Sequence, residues 1–354
     1  MVKPELPQEI LFDIFSRLPA KSIGKCRCLS NQWRTLLSTP QFIKSHLNQK
    51  THQENLILIT PSHSLHAIST IKDDTVSRKL QLRNKWVEVV GSCDGLVLLI
   101  NVNLEKILLN PITRQQVRVP DAPLALKRWE GFSMHGFGYD RHTDDYKIVT
   151  LSSYADNYCD PDNEYESDCE DTFVVVYSVK RGVWERVESL REEDHGVPEL
   201  SSGVFVSGAL HWLASGGETG SFVIIAFNFA NKLFDEIPAP DDMDRGRFLS
   251  SNLGVLGGRL CMIDTVRQDV WIMEEYGVKD SWRKFSIGVD DDLGISKPLC
   301  FIGEEEVVFV TKKDGLIVYN VKEGTLRDMV VNGAPAKFVD GGAFVGCRVS
   351  TALN

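Results

Sequence analysis

Gly91-Ser92-Cys93-Asp94-Gly95 has the G-x-C-x-G shape of a hydrolase nucleophile elbow with cysteine as the nucleophile. That elbow needs a strand, a sharp turn and then a helix, so that the nucleophile faces a helix N-terminus. Here 86–90 and 96–100 are both apolar and strand-like, so Asp94-Gly95 predicts a hairpin turn, and a cysteine hydrolase using Cys93 is the minor reading. Asp160-x-Asp162-x-Glu164, with Asp171 at the twelfth position, imitates a calcium loop. Tyr165 stands where the sharp turn of such a loop needs glycine, and Pro161 stiffens its start. The eight histidines show no paired metal spacing, and His211 beside Trp212 reads as a satisfied core residue. Gly136-Phe137-Gly138 lacks the later glycine and the helix of a dinucleotide fingerprint, and Gly254-Val255-Leu256-Gly257-Gly258 reads as a strand and a hairpin turn. No catalytic residue, cofactor or metal is therefore expected.

The elements that hold these residues belong to a chain of 354 residues, 43% apolar and 25% charged, which is ordinary globular usage. The formal net charge is −10, which disfavours general nucleic-acid or anionic-membrane binding. The charge is uneven: residues 1–50 hold eight Lys/Arg against three acids, a net of +5, which leaves −15 on the rest. Such asymmetry predicts two modules with different partners. The eight cysteines include no C-x-x-C pair, residues 1–10 lack an apolar signal core, and the longest apolar run, 222–227, is six residues. These features predict a reducing compartment, cytoplasm or nucleus, and no membrane insertion.

Residues 4–48 read as four short helices. Leu6, Ile10, Leu11, Ile14 and Leu18 recur on one helical face, Pro7 suits a first turn, and Pro19 ends the helix. Ser22 predicts the cap of a second helix carrying Ile23, Cys26 and Leu29, and Ser30 that of a third with Trp33, Leu36 and Leu37. Thr39-Pro40 opens a fourth with Phe42, Ile43 and Leu47. So small a core usually leans on a partner. Leu6-Pro7-Gln8-Glu9-Ile10, Ile14-Phe15-Ser16-Arg17-Leu18-Pro19-Ala20-Lys21-Ser22, Cys26-Arg27-Cys28-Leu29-Ser30, Trp33 and Leu36, in that order and spacing, resemble an F-box. The resemblance implies docking onto the Skp-family adaptor of cullin-RING ubiquitin ligases. It would set Leu6, Pro7, Ile10, Ile14, Leu18, Pro19, Ile23, Cys28 and Trp33 at or under the adaptor surface.

From about residue 55 the pattern becomes short apolar runs broken by Gly, Asn-Pro and Asp-Gly, the grammar of strands and turns. One unit recurs: an apolar strand, Asn or Ser, a turn, a bulky residue six positions later and an apolar one at nine. Ser178 leads to Trp184 and Val187, Asn228 to Phe234 and Ile237, Asn320 to Leu326 and Met329; Asn110 leads to Val119, with Gln116 where a bulky residue is expected. Residues 270–285 hold a copy with a longer turn. A glycine heading an apolar strand precedes these hairpins at Gly95-Leu96, Gly208-Ala209-Leu210 and Gly258-Arg259-Leu260. With the acidic stretch 156–171 set aside, the period is about 48 residues, and 51–354 accommodates about six such units. Two hairpins per unit make a four-stranded blade. The fold class expected is multidomain, α then all-β: a helical domain at 1–50, then a kelch-like β-propeller of about six blades at 51–354. The stretch 156–171, with eight carboxylates and no Lys or Arg, reads as a solvated loop insertion.

Leu109-Asn110-Pro111-Ile112-Thr113-Arg114, Gly136-Phe137-Gly138-Tyr139-Asp140 with Asp144-Asp145-Tyr146-Lys147-Ile148-Val149, and residues 269–282 resemble the plant F-box-associated interaction domain, which is similar to that of kelch-repeat F-box proteins. Together the two resemblances imply a non-catalytic substrate receptor of an SCF-type ubiquitin ligase. It would bind the adaptor and, through it, cullin and a RING protein, and hold an unidentified protein target. An F-box protein acting outside a ligase is the other reading.

Overall fold

The computed structural model describes residues 7–18, 20–37, 39, 42 and 45 of the helical segment. Beyond it, residues 54–71, 74–82, 84–123, 131–154, 172–187, 197–198, 202–215, 222–241, 248, 250–288 and 294–346 are described. Three helices come first: α1 (Gln8–Ser16), α2 (Ala20–Leu29) and α3 (Asn31–Leu36). Pro7 is the residue before α1, with φ −52° and ψ 143°, and so lies outside the first turn in which the sequence placed it. The helix ends at Ser16, capped by Arg17 in the αR region, ahead of Pro19. Helix α2 begins two residues before Ser22, so Ser22 lies in its first turn and is not its cap. Ser30 does cap α3, its Oγ accepting from Trp33 N at 3.0 Å. Thr39 Oγ1 accepts from Phe42 N at 3.3 Å, and Pro40, Ile43 and Leu47 lie outside the described residues. Phe15, Ile23, Leu37 and Phe42 form a small buried core against Leu11, Phe12, Leu18, Cys26, Trp33 and Leu36. Edge-to-face contacts join Phe12 to Phe42 at 5.2 Å and Phe15 to Trp33 at 5.0 Å.

The remaining strands form six antiparallel sheets in a closed ring. Blade 1 takes β1 (Glu54–Ile59), β2 (Leu65–Ile71) and β3 (Asp74–Leu80). Blade 2 is β4 (Trp86–Cys93), β5 (Leu96–Asn101), β6 (Lys106–Leu109) and β7 (Gln116–Arg118). Blade 3 is β8 (Gly131–Asp140), β9 (Asp145–Tyr154), β10 (Phe173–Ser178) and β11 (Val183–Arg186). Blade 4 is β13 (Val204–Val206), β14 (Ala209–Ser215), β15 (Phe222–Asn228) and β16 (Phe234–Ile237), with β12 (Val197–Pro198) paired to β14. Blade 5 is β17 (Ser251–Leu256), β18 (Arg259–Asp264), β19 (Asp269–Met273) and β20 (Trp282–Ser286). Blade 6 is β21 (Ile295–Ile302), β22 (Glu306–Thr311), β23 (Leu316–Asn320) and β24 (Thr325–Asp328). The last strand, β25 (Asp340–Val345), returns to pair with β1 and is the inner strand of blade 1. The first and last strands of the β region therefore complete one blade together.

Each apolar layer lies between consecutive blades. Leu96, Leu98 and Ile100 of β5 pack with Phe137 and Ile148 of blade 3. The alternate residues Val97 and Leu99 pack with Ile57, Ile59 and Phe344 of blade 1. Because both faces of a blade are covered, its strands read as continuous apolar runs and not as alternation. The blades meet so closely at the axis that glycine is required: a β-carbon on Gly138 of blade 3 would overlap the Phe205 ring of blade 4, and one on Gly254 of blade 5 would lie 2.7 Å from Pro298 of blade 6.

The recurring Asn or Ser proves to be the cap of the outer hairpin. Asn110 Oδ1 accepts from the amides of Ile112 and Thr113 at 3.0 Å, and Asn320 Oδ1 from those of Lys322 at 3.0 Å and Glu323 at 2.9 Å. Ser178 Oγ accepts from Arg181 N at 3.1 Å. The bulky residue six positions on stands opposite the third strand, Trp184 beside Tyr177 and Phe234 beside Phe227. Two of these residues also join blades: Trp184 Nε1 donates to Pro120 O at 3.1 Å, and Trp282 Nε1 to Pro238 O at 2.9 Å. The stretch 156–171 lies outside the described residues; the strands flanking it, β9 and β10, pair directly, from Phe173 opposite Ser152 to Ser178 opposite Lys147.

Candidate functional site

Helix α1 carries two apolar faces. Leu11, Phe12 and Phe15 turn into the helical core. Ile10 and Ile14, one turn apart, face solvent with 47% and 44% of their surface exposed, and Pro7, just before the helix, is exposed as well. At 100° per residue, Ile10 and Ile14 lie about 40° apart, and their midpoint is about 130° around the helix from that of Leu11, Phe12 and Phe15. An exposed aliphatic pair on one side of a helix is apolar surface open to a partner. Beside it lies the one-turn ion pair of Asp13 and Arg17, 2.9 Å apart and exposed, which steadies the helix by a few tenths of a kcal/mol, about 0.3–0.5.

The other expected residues divide by depth. Ile23 is 3% exposed and lies inside the helical core, so it shapes the surface without forming it. Leu18 and Trp33 are half-buried against the same core, and Cys28 is exposed. Leu6 and Pro19 fall outside the described residues. Leu29, carried on α2 with Ile23 and Cys26, is 71% exposed. Steps of three residues drift about 60° per turn around a helix, so two such steps carry Leu29 well away from Ile23. That drift was the available signal.

In the propeller, Cys93 ends β4 in a two-residue hairpin, with Asp94 at φ 51° and Gly95 at φ 82°, and β5 begins at once. A nucleophile elbow requires a helix at that point, and the chain has a strand there instead. Burial, and then the Asp94 carboxylate, push the Cys93 thiol well above the usual range, so it is protonated at neutral pH. The same turn recurs at Ser207-Gly208 and Gly257-Gly258, all at positive φ. It is a repeat feature of the first hairpin of a blade. His211 is fully buried, with Nδ1 3.2 Å from Val204 O and Nε2 2.8 Å from the Tyr276 hydroxyl, as a satisfied core histidine should be.

Comparisons with known proteins agree with this geometry. Residues 4–45 match the F-box domain family, and residues 30–339 match the family described as the F-box associated beta propeller domain. The Arabidopsis thaliana F-box protein CPR1 is 33% identical over 301 residues, covering 79% of this chain and 72% of its own. An F-box/kelch-repeat protein of Arabidopsis thaliana is 30% identical over 348 residues, covering 92% of this chain and 91% of its own. Among solved structures, a chain of a nidogen/laminin complex superposes with a TM-score of 0.53 at 9% identity. That match covers 83% of this chain and all of that one, and is a likeness of fold alone. With its helical F-box and its six-bladed ring, this chain belongs to the plant F-box proteins that carry an F-box-associated β-propeller domain.

Proposed function

We propose that this protein is the substrate-recognition subunit of an SCF-type cullin-RING ubiquitin ligase. Its F-box would dock to a Skp-family adaptor, and its propeller would hold a protein target. The observation that carries this reading is the exposure of Pro7, Ile10 and Ile14 on a module that matches the F-box family. The +5 charge of residues 1–50 favours an acidic partner face, chiefly by speeding encounter. The propeller offers a rigid ring with loops at both rims. Transfer of ubiquitin would then be a matter of proximity: the ligase raises the effective concentration of activated ubiquitin at a target lysine, and this chain supplies geometry but no nucleophile. We place its action in the cytoplasm or nucleus, where such ligases work.

The reading is tested by affinity purification of the tagged full chain from plant cells. The adaptor, cullin and RING protein are expected to co-purify, and to do so equally with Cys93→Ser. Recovery of the folded chain without the adaptor would contradict the reading, as would a hydrolytic activity lost in Cys93→Ser.

A further inference from the structure

A cavity of 330 Å³ opens between the turns of blades 3, 4 and 5, on the rim that joins first to second and third to fourth strands. Its lining includes small residues, Ala209 and Ala226, which leave room for a guest. One wall carries Asp235 of β16, exposed and with no ion-pair partner among the described residues. Phe229 and Tyr276 add aromatic surface, and Arg141 stands in the β8–β9 turn on the blade 3 side.

Tyr276 is the built part of this pocket. It sits in the long turn between β19 and β20, the same longer turn that sets blade 5 apart from the other repeats. That turn is held by its own bonds: Ser281 Oγ donates to Val278 O at 2.7 Å and accepts from Glu275 N at 3.1 Å, and Gly277 takes φ 80°. The loop reaches across to blade 4, where Tyr276 meets His211. The carbonyl of Val204 can only accept, so His211 Nδ1 carries the proton and Nε2 is the acceptor for the Tyr276 hydroxyl. The hydroxyl is thereby tied down to the blade 4 core, with the rings edge-to-face at 5.5 Å. Burial, and then the Asp235 carboxylate, push the phenol up to about 12, so the field of Asp235 reaches Tyr276.

We propose that this pocket seats one basic side chain, arginine or lysine, of the protein target, with its cationic head between the Asp235 carboxylate and the Tyr276 ring. The inference rests on the substrate-receptor reading above. A carboxylate and an aromatic ring lining one cavity are the two groups that bind a cation best without a metal, by charge-assisted hydrogen bonds and by cation–π attraction. Arg141 on the blade 3 side repels the cation and so fixes the side of the pocket it occupies, while its guanidinium is left for a carbonyl of the same peptide. The charge of −15 beyond residue 50 draws basic segments toward the domain.

The test uses the full chain and two fluorescein-labelled heptapeptides, Gly-Ser-Ala-Arg-Ala-Ser-Gly and its central-glutamate twin, titrated by fluorescence anisotropy. The arginine peptide is expected to bind at least about tenfold more tightly than the glutamate peptide. Asp235→Asn and Tyr276→Ala should each weaken it by about tenfold, and Tyr276→Phe, which keeps the ring, by about twofold. Asp235 is exposed, so Asp235→Asn keeps the melting temperature and separates recognition from folding. Equal binding of the two peptides, no saturation by the arginine peptide up to about 5 mM, or unchanged binding in Asp235→Asn overturns the assignment. Adaptor co-purification is read in parallel. Loss of peptide binding with the adaptor retained counts against the pocket alone, whereas a parent chain that takes the peptide but no adaptor counts against the receptor reading alone.

Discussion

His211 shows how one residue serves the ring. It is neutral because burial, only partly offset by the bond to Val204 O, holds its pKa at about 4 against an ordinary 6.5. Between those values the unfolded chain binds a proton that the folded chain does not, so stability falls as pH drops from about 6.5 toward about 4 and levels off below it. From pH 7.5 to pH 5 this one group should cost about 2 kcal/mol. His135, also held low by burial, adds a loss of the same sign. Urea unfolding at the two pH values checks this: His211→Leu should be less stable at neutral pH but lose about 2 kcal/mol less on acidification than the parent. Equal losses in the two proteins would mean that His211 is not buried as a neutral donor and acceptor.

Among the elements, β25 has the longest sequence separation to bridge, since it closes the ring onto β1. Asp340 at its start accepts from Val89 N at 2.6 Å and from Lys297 Nζ at 3.0 Å, and Lys297 also donates to Val89 O at 3.2 Å. Three inner strands, of blades 6, 1 and 2, are thus clasped at one point, and Ser92 Oγ adds a bond to Ala343 O at 2.6 Å. Asp340→Ala leaves a backbone amide and an ammonium without their acceptor and should cost about 2 kcal/mol. Hydrogen exchange should rise first in β25 and β1; protection unchanged there would show that the ladder alone holds the seam. The blade count was legible in the sequence because the Asn/Ser cap, the residue six positions on and the Asp94-Gly95 type of turn are each fixed by local backbone geometry. The clasp was not, because Asp340, Lys297 and Val89 come together only when the ring closes. The same holds for Tyr276 over His211: the longer turn was visible, but not the blade it would reach. In the F-box the helices were legible, but the periodicity of so short a segment does not tell a face that packs from one that docks. Ile10 and Ile14 were separated from Leu11 and Phe15 only by the fold.

At the scale of the whole molecule, a small basic helical module precedes a large acidic ring, and the two offer different surfaces. The first strand of the ring, β1, begins at the rim that bears the first-to-second and third-to-fourth turns, so the helical segment joins the ring on the side of the Asp235–Tyr276 pocket. The ends of β9 and β10 that flank 156–171 lie at the opposite rim. The proposed role depends most on the exposed residues of α1, since without adaptor docking neither rim has a ligase to serve. Titration calorimetry of a purified Skp-family adaptor into the full chain tests it most directly. Ile10 and Ile14 are exposed, so Ile10→Glu with Ile14→Glu should leave the circular dichroism and melting temperature intact. The double variant is predicted to weaken adaptor binding by at least about 100-fold, the loss expected when two apolar anchors are replaced by charge. A folded double variant that binds the adaptor within about threefold of the parent would contradict the account.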